Sequence, residues 1–251
     1  MFKEYFILLL LAHVIGDFYF QTSYMSMRKD SSMKWLLTHS LFYWLSTLFV
    51  LSFVFSMNIF VLGTAAAVLH AIIDILKYMY LKKIRKSRLI TAGRDRNIFF
   101  ADQILHLICL IIIAYVAVLQ NIPFRFSSPV LGFFEIVKID AFAFVCWAAA
   151  VLIIHKPANI LISKILTIYK PENKEEENKK DNNAGRFIGT IERIIILIFL
   201  SIGQYAAIGL VLTAKSIARY DKISKEKDFA EYYLIGTLVS TLVVIVVSFI
   251  L

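Results

Sequence analysis

The sequence predicts an all-α membrane protein, a polytopic bundle of about seven transmembrane helices. Of its 251 residues, 59% are hydrophobic and only 18% are charged, and the mean hydropathy is +0.73. Soluble domains are more polar, with roughly 25% charged residues. The apolar residues lie in long runs in a chain that has only 9 Gly and 4 Pro, which excludes a β-barrel made of short alternating strands.

The apolar runs give the predicted helices in chain order. Each is close to the roughly twenty residues that a helix needs to cross a bilayer. The first run lacks the small-residue cleavage site of a signal peptide, so we predict that it is retained. The predicted spans lie at about 5–22, 34–56, 59–80, 98–119, 139–156, 190–213 and 232–251. They divide into a four-helix core at 1–120 and C-terminal helices at 121–251.

Basic residues between the runs predict the orientation. The segment 81–96 is rich in Lys and Arg, with Asp95 as its single acidic residue, so the positive-inside rule places it in the cytoplasm. Simple alternation then puts the N-terminus outside and the mixed-charge loop near 169–186 inside. We expect that loop to be a flexible tether. The net charge of +9 therefore indicates orientation and contact with anionic lipid headgroups, and not nucleic acid binding.

The basic residues after the sixth run conflict with simple alternation. Residues such as Lys215 and Arg219 would lie outside, although they resemble those of the cytoplasmic loops. A break near Ser201 to Gly203 would turn this run into a re-entrant hairpin and remove the conflict. A continuous span and a hairpin both remain open.

All five histidines lie within or at the edge of predicted spans. Ionisable groups at membrane depth are costly and usually face the bundle interior at a functional site. Three helices each carry a His and an Asp four residues apart, a spacing that places both on one helical face. The three pairs are His13 with Asp17, His70 with Asp74, and Asp102 with His106.

The predicted topology brings these pairs to one level in the inner leaflet, where His39 joins them. Imidazole nitrogens and carboxylate oxygens together suit a divalent ion such as Zn, Mn or Fe(II), and the set could hold one or two. Lys77 shares the face of His70 and Asp74. Two other interpretations remain open: a hydrogen-bonded network that ties the helices together, and a proton or ion relay.

Other polar and aromatic residues have simpler interpretations. We expect His155 to be interfacial, and aromatic residues near the ends of the first two spans, Phe18 and Tyr43 among them, to anchor the helices at the interface. Glu192 and Arg193 are adjacent and cannot share a helical face, so each should pair with another helix or face headgroups. Arg193, together with Arg186, could also hold a phosphate.

Three motifs resemble a bacterial membrane family, the domain of unknown function 3307. They are AHVIGDFYFQT (12–22), LHAIIDILK (69–77) and FFADQILHL (99–107). The C-terminal segments IERIIIL, GQYAAIGLVLTAKSIARY and AEYYLIGTL resemble the same family. The resemblance implies no biochemical function. We expect a multi-pass protein of the bacterial cytoplasmic (inner) membrane.

A more distant resemblance concerns bacterial inner-membrane proteins described as membrane-bound metal-dependent hydrolases. LLTHSLFYW around His39 and LHAIID around His70 are similar to their HRxxTHS and xxHxxxD elements. This resemblance implies a metal role for His39, His70 and Asp74. The first two residues of HRxxTHS fall on Lys34 and Trp35 here, and no PDxDHP-like motif is present.

The leading functional hypothesis is a membrane-embedded metal-dependent hydrolase acting on a lipid-linked or amphipathic phosphoester at the cytoplasmic leaflet. Asp102 and Lys77 are the candidate catalytic residues. The candidate metal ligands are His13, Asp17, His39, His70, Asp74, Asp102 and His106. One alternative is a metal-ion or proton transporter that uses the same cluster. Another is a non-catalytic interaction protein with a hydrogen-bonded core.

Overall fold

The computed structural model describes residues 1–54, 56–86, 91–170 and 184–251, with the backbone alone at 85 and 86. The described residues form helices and no strands, so the predicted all-α class is confirmed. Most of the predicted tether at 169–186 lies outside the described residues. The chain forms two compact units, Met1–Ala149 and Ala150–Leu251, and the first therefore extends beyond the predicted division at residue 120.

The first unit is built on long apolar helices connected by short segments. Its first helix continues as a π-helix over Ile15–Tyr19, and the chain then bends by 90° before the second helix. The helices are α1 (Phe2–Val14), α2 (Ser23–Lys29), α3 (Met33–Leu51), α4 (Met57–Lys86), α5 (Ala92–Leu119), α6 (Ser128–Val137) and the beginning of α7 (Ala141–Leu166).

Helix α1 packs against both α3 and α5, and α4 packs against α3 and α5. The close approach of α1 to α3 depends on Gly16, where an added Cβ would lie 2.6 Å from Ser46 Oγ and 2.8 Å from Tyr43 Cδ2. A larger residue would push the helices apart, because packed interiors absorb little extra volume. The π-helix thus lies directly against α3.

The second unit contains the rest of α7 and four further helices. These are α8 (Ala184–Ser201), α9 (Tyr205–Ile217), α10 (Tyr220–Lys225) and α11 (Lys227–Ser248). Its apolar core comes from α7, α8 and α11, with Ile154, Ile196, Leu197 and Val244 fully buried.

The sixth predicted span is a helical hairpin and not a continuous helix. Helix α8 ends at Ser201, and Gly203 turns the chain with a φ of +70°, a conformation that favours glycine. Lys215 Nζ lies 2.7 Å from Glu192 Oε2, whereas 23 residues of straight helix would separate them by about 35 Å. The sixth run is therefore not one continuous helix, and the break near Ser201 to Gly203 is confirmed. That this hairpin re-enters the membrane stays a prediction. The chain leaves the hairpin on the side where it entered.

Four described helices are long and apolar enough to cross a membrane, and α1 with α2 gives a fifth if that bent pair is one span. They lie at Met57–Ile84, Ala92–Leu119, Ala141–Leu166 and Lys227–Ser248. The prediction of about seven spans exceeded this number because it also counted the helical hairpin and α3 as spans. Helix α3 carries His39, Ser46 and Thr47, which are buried within its unit and lower its mean hydropathy. The chain is thus a helical membrane protein.

Candidate metal centre

The structure brings all seven sequence-predicted ligands together inside the first unit. None of them is more than 5% exposed. They are contributed by α1 and its π-helical extension, by α3, by α4 and by α5. The predicted convergence of the four helices is therefore confirmed, and the role of the residues as metal ligands stays a prediction.

Six of the seven residues form two groups of three. Asp17, His39 and His70 make the first group, and in each group one possible ligand atom per residue lies within 4.8 Å of the others. Asp17 Oδ1 is 3.2 Å from His39 Nε2 and 3.7 Å from His70 Nε2. This group joins α3 and α4 to the π-helix.

The second group contains Asp74, Asp102 and His106. His106 Nε2 is 3.5 Å from Asp102 Oδ1 and 4.0 Å from Asp74 Oδ1. The two groups adjoin, because Asp74 Oδ2 also lies 3.4 Å from His39 Nε2. One continuous cluster of carboxylates and imidazoles results.

Several nitrogen and oxygen atoms of the cluster have no hydrogen-bond partner and could bind a divalent cation. Within the described part of the chain, both ring nitrogens of His39 and His70, together with His106 Nε2 and Asp102 Oδ1, have no hydrogen-bond partner. Metal–ligand bonds of about 2.1 Å separate the ligand atoms of a tetrahedral ion by about 3.4 Å. The nitrogen–oxygen distances in the cluster, 3.2 to 4.0 Å, lie close to that value. These atom pairs do not form regular hydrogen bonds.

Stacked rings hold the central histidine. The His70 ring lies between Tyr43, at a centroid distance of 3.7 Å, and His106, at 4.1 Å, with interplanar angles of 22° and 15°. Since a ring stacked on both faces cannot tilt freely, Tyr43 and His106 restrict the orientation of the His70 nitrogens.

His13 borders the cluster and belongs to neither group of three. Its Nδ1 lies 3.3 Å from Tyr43 Oη, and its ring centroid is 5.4 Å from that of His106. The expected pairing of His13 with Asp17 is not among the ion pairs of the described residues. The backbone bond from Phe20 N–H to Ile15 O spans five residues, and this wider π-turn changes the angular position of Asp17 relative to an α-helix.

Two lysines and one amide complete the surroundings of the carboxylates. Lys29 Nζ lies 3.4 Å from Asp17 Oδ1 and 3.3 Å from Asp74 Oδ2. Lys77 Nζ lies 3.0 Å from Asp102 Oδ2. Gln103 Nε2 donates to Asp17 Oδ2 at 3.1 Å. Each of the three carboxylates thus has an ammonium partner.

The comparison with known families matches more than half of the chain to a family model. The model of a family described as proteins of unknown function, DUF3307, matches residues 5–133, just over half of the chain. The chain belongs to the DUF3307 family. No curated protein and no solved structure matches it, so the distant resemblance to metal-dependent hydrolases stays a prediction.

The DUF3307 match contains the complete cluster, including its lysines and Gln103. It also contains the three N-terminal motifs that predicted the family. The C-terminal segments from IERIIIL onward lie beyond the matched residues, and the second unit is therefore outside the region that defines family membership here.

Three residues of the DUF3307 cluster were missed by sequence reasoning. The sequence pattern gives Lys29 and Gln103 no place in the cluster, and it predicts an interfacial position for Tyr43. A signal existed for Tyr43, which follows His39 by four residues, and for Gln103, which precedes His106 by three. Lys29 lies twelve residues beyond Asp17 and past a 90° bend, so only the fold reveals its position.

In the described part of the second unit, the buried charged residues Glu192 and Arg193 both contact protein partners. Arg193 donates from Nε to the Ile154 carbonyl at 2.7 Å and from Nη2 to Asn159 Oδ1 at 2.7 Å. Its Nη1 donates to Ser240 Oγ at 3.4 Å. Glu192 pairs with Lys215, so the prediction that these adjacent residues have different partners is confirmed. The phosphate role suggested for Arg193 does not fit, since its donors already bind the protein.

Proposed function

We propose that this DUF3307 protein is a membrane-embedded metal-dependent hydrolase acting on a lipid-linked or amphipathic phosphoester. One observation carries the proposal. Two adjacent groups of buried His and Asp residues place their ligand atoms at metal-binding separations and leave several ring nitrogens without hydrogen bonds. One or two divalent ions, of Zn, Mn or Fe(II), would be held by these groups.

The ligand chemistry supports a hydrolytic role. Imidazole and carboxylate ligands suit Zn, Mn and Fe(II). Such an ion lowers the pKa of a bound water enough to give hydroxide at neutral pH, and it polarises a phosphoryl oxygen. The protein keeps the ligand set dry and, through the Tyr43 and His106 stack on His70, keeps it oriented.

Asp102 and Lys77 are the residues that we assign to proton transfer and charge stabilisation. Lys77 and Gln103 hold Oδ2 of Asp102 at 3.0 and 3.4 Å, while Oδ1 has no hydrogen-bond partner among the described residues. If the other residues of the cluster hold the ion, Oδ1 would accept a proton from the attacking water. The Lys77 ammonium adds positive charge beside it, where negative charge develops on the phosphoryl group.

The location of the cluster supports a substrate in the membrane. Of the helices that contribute its residues, α4 and α5 are each apolar and long enough to span a bilayer, and α1 with α2 qualifies as a bent pair. With the orientation that the basic segment 81–96 predicts, the cluster would lie toward the cytoplasmic leaflet of a bacterial inner membrane. Membrane lipid, including anionic headgroups, is then the expected partner.

A second function is favoured by the lysines. Lys29 pairs with Asp17 and Asp74, and Lys77 pairs with Asp102, so every carboxylate has a counter-charge without a metal. In that case the cluster would be an ion-paired core of a non-catalytic membrane protein.

Metal content separates the two functions. The full chain, purified in detergent without chelator and supplied with Zn or Mn, should contain about one or two equivalents of metal. His70→Ala should lose the metal, and His155→Ala, a histidine outside the cluster, should retain it. Hydrolysis of a fluorescent phospholipid phosphoester should follow the metal content. A folded wild-type protein that takes up no metal would overturn the proposal in favour of the ion-paired core.

A further inference from the structure

Lys29 occupies a special position in the cluster. It is 6% exposed, and its Nζ lies 3.4 Å from Asp17 Oδ1 and 3.3 Å from Asp74 Oδ2. Asp17 belongs to one group of possible ligands and Asp74 to the other. A single ammonium therefore contacts both halves of the candidate metal centre.

The helix that carries Lys29 differs from the helices that carry the ligands. Helix α2 has only seven residues and follows a 90° bend, whereas α3, α4 and α5 have 19, 30 and 28 residues. Only two of its side chains are buried, Met25 and Lys29. The ion pairs of Lys29 thus add to the edge-to-face contact of Tyr24 with Trp35 of α3 in holding α2 on the unit.

An ammonium and a divalent cation cannot share these carboxylates without a penalty. Both would lie within a few ångströms of Asp17 and Asp74, and like charges repel strongly in a poorly solvated interior. Lys77 could conflict in the same way with an ion in the second group, because its Nζ pairs with Asp102, but it contacts neither Asp17 nor Asp74 within ion-pair distance. Competition for Asp17 and Asp74 is specific to Lys29.

We propose that Lys29 is a tethered counter-ion that competes with the divalent cation, so that metal loading releases Lys29 and with it helix α2. The proposal rests on the metal site of the proposed function. Without metal, Lys29 neutralises the carboxylates and keeps α2 docked. With metal, the ammonium leaves the cluster and α2 is held by Met25 alone among its buried side chains.

Two measurements on the full-length protein in detergent test the competition. In the first, Zn binding is titrated for wild type, Lys29→Met and the charge-keeping Lys29→Arg. Lys29→Met should bind Zn at least about tenfold more tightly than wild type, because a competing positive charge is gone. Lys29→Arg should bind more weakly than Lys29→Met. Exposed Lys34 provides the control, since Lys34→Met should leave the affinity unchanged.

The second measurement needs no mutation, so a misfolded variant cannot obscure it. Wild-type protein is treated with a water-soluble amine-acylating reagent, with and without Zn, and the peptides are analysed by mass spectrometry. Lys29 should be protected without Zn and modified several-fold faster with it. Lys34 should be modified equally in both samples.

The outcomes distinguish this proposal from the function on which it rests. If neither wild type nor Lys29→Met bound Zn, both the competition and the metal site would be overturned. Wild type could bind Zn while Lys29 stays protected and Lys29→Met binds Zn no more tightly. That result would overturn the competition and leave the metal site intact. Weaker Zn binding by Lys29→Met would show Lys29 to be a supporting group, and would also overturn the competition.

Discussion

The two units bury charged groups in different ways. In the first unit, ring nitrogens of His39, His70 and His106 lie near carboxylates without forming regular hydrogen bonds. In the second unit, Arg193 directs Nε, Nη1 and Nη2 to protein acceptors. A buried charge with a complete set of partners ties helices together, whereas a cluster with unused ligand atoms can accept something else. Burial alone therefore does not mark a functional site in a membrane protein.

The largest expected difference between the units concerns metal affinity. Asp74→Asn removes a charge that lies close to both groups of ligands, and we expect Zn affinity to fall about 100-fold or more. Glu192→Gln in the second unit should leave Zn affinity unchanged. Isothermal titration of both variants checks this. Equal loss of affinity in the two variants would show that the units do not differ in this way.

A substitution in the second unit should, in contrast, lower the free energy of unfolding and leave metal binding unchanged. Arg193→Met leaves the Ile154 carbonyl and Asn159 without their donor, and we expect it to lower the free energy of unfolding by about 3 kcal/mol. Metal content should not change, because Arg193 contacts none of the candidate ligands. Denaturant unfolding and metal analysis of the same sample test both points. A normal unfolding free energy would contradict the structural role of Arg193.

A smaller effect is expected where α1 meets α3. Gly16→Ala places a Cβ 2.6 Å from Ser46 Oγ and 2.8 Å from Tyr43 Cδ2, so overpacking should cost about 1 to 3 kcal/mol and weaken Zn binding by displacing Asp17. Gly132→Ala is the matched control, since a Cβ there meets nothing within 4 Å. Thermal unfolding compares the two. If Gly16→Ala behaved like Gly132→Ala, the close contact would not position Asp17.

The smallest expected effect is that of the Tyr43 hydroxyl. Tyr43→Phe removes the contact with His13 Nδ1, 3.3 Å away, and keeps the ring stacked on His70. The loss should be about 1 kcal/mol of stability, with Zn affinity within a few-fold of wild type. Tyr43→Leu, which also removes the stack, should weaken Zn binding further. Titration of the pair separates the hydroxyl from the ring.

The sequence predicted most of the cluster because helical periodicity is reliable where the helix is regular. His70 with Asp74, and Asp102 with His106, come within 3.9 and 3.5 Å of each other, as their spacing of four residues requires. The same rule failed for His13 and Asp17, because a π-helix begins between them. Nothing in the local composition distinguishes that segment from an α-helix.

Features that depend on the path of the chain were harder to predict. Lys29 joins the cluster only because the chain bends by 90° after the π-helix. The hairpin at Gly203 was signalled by misplaced basic residues, but a single glycine does not decide between a turn and a continuous helix. Helix α3 was predicted to be a span. Its polar residues are buried against neighbouring helices, and this burial is visible only in the fold.

X-ray absorption spectroscopy of the Zn-loaded wild-type protein tests most directly whether the cluster is a metal centre. We expect nitrogen and oxygen ligands at about 2.0 to 2.2 Å together with the outer-shell scattering of at least two imidazoles. His155→Ala should give the same spectrum, and His39→Ala combined with His70→Ala should lose the scattering of these two imidazoles. A spectrum of hydrated Zn without imidazole scattering would contradict a metal centre at this cluster.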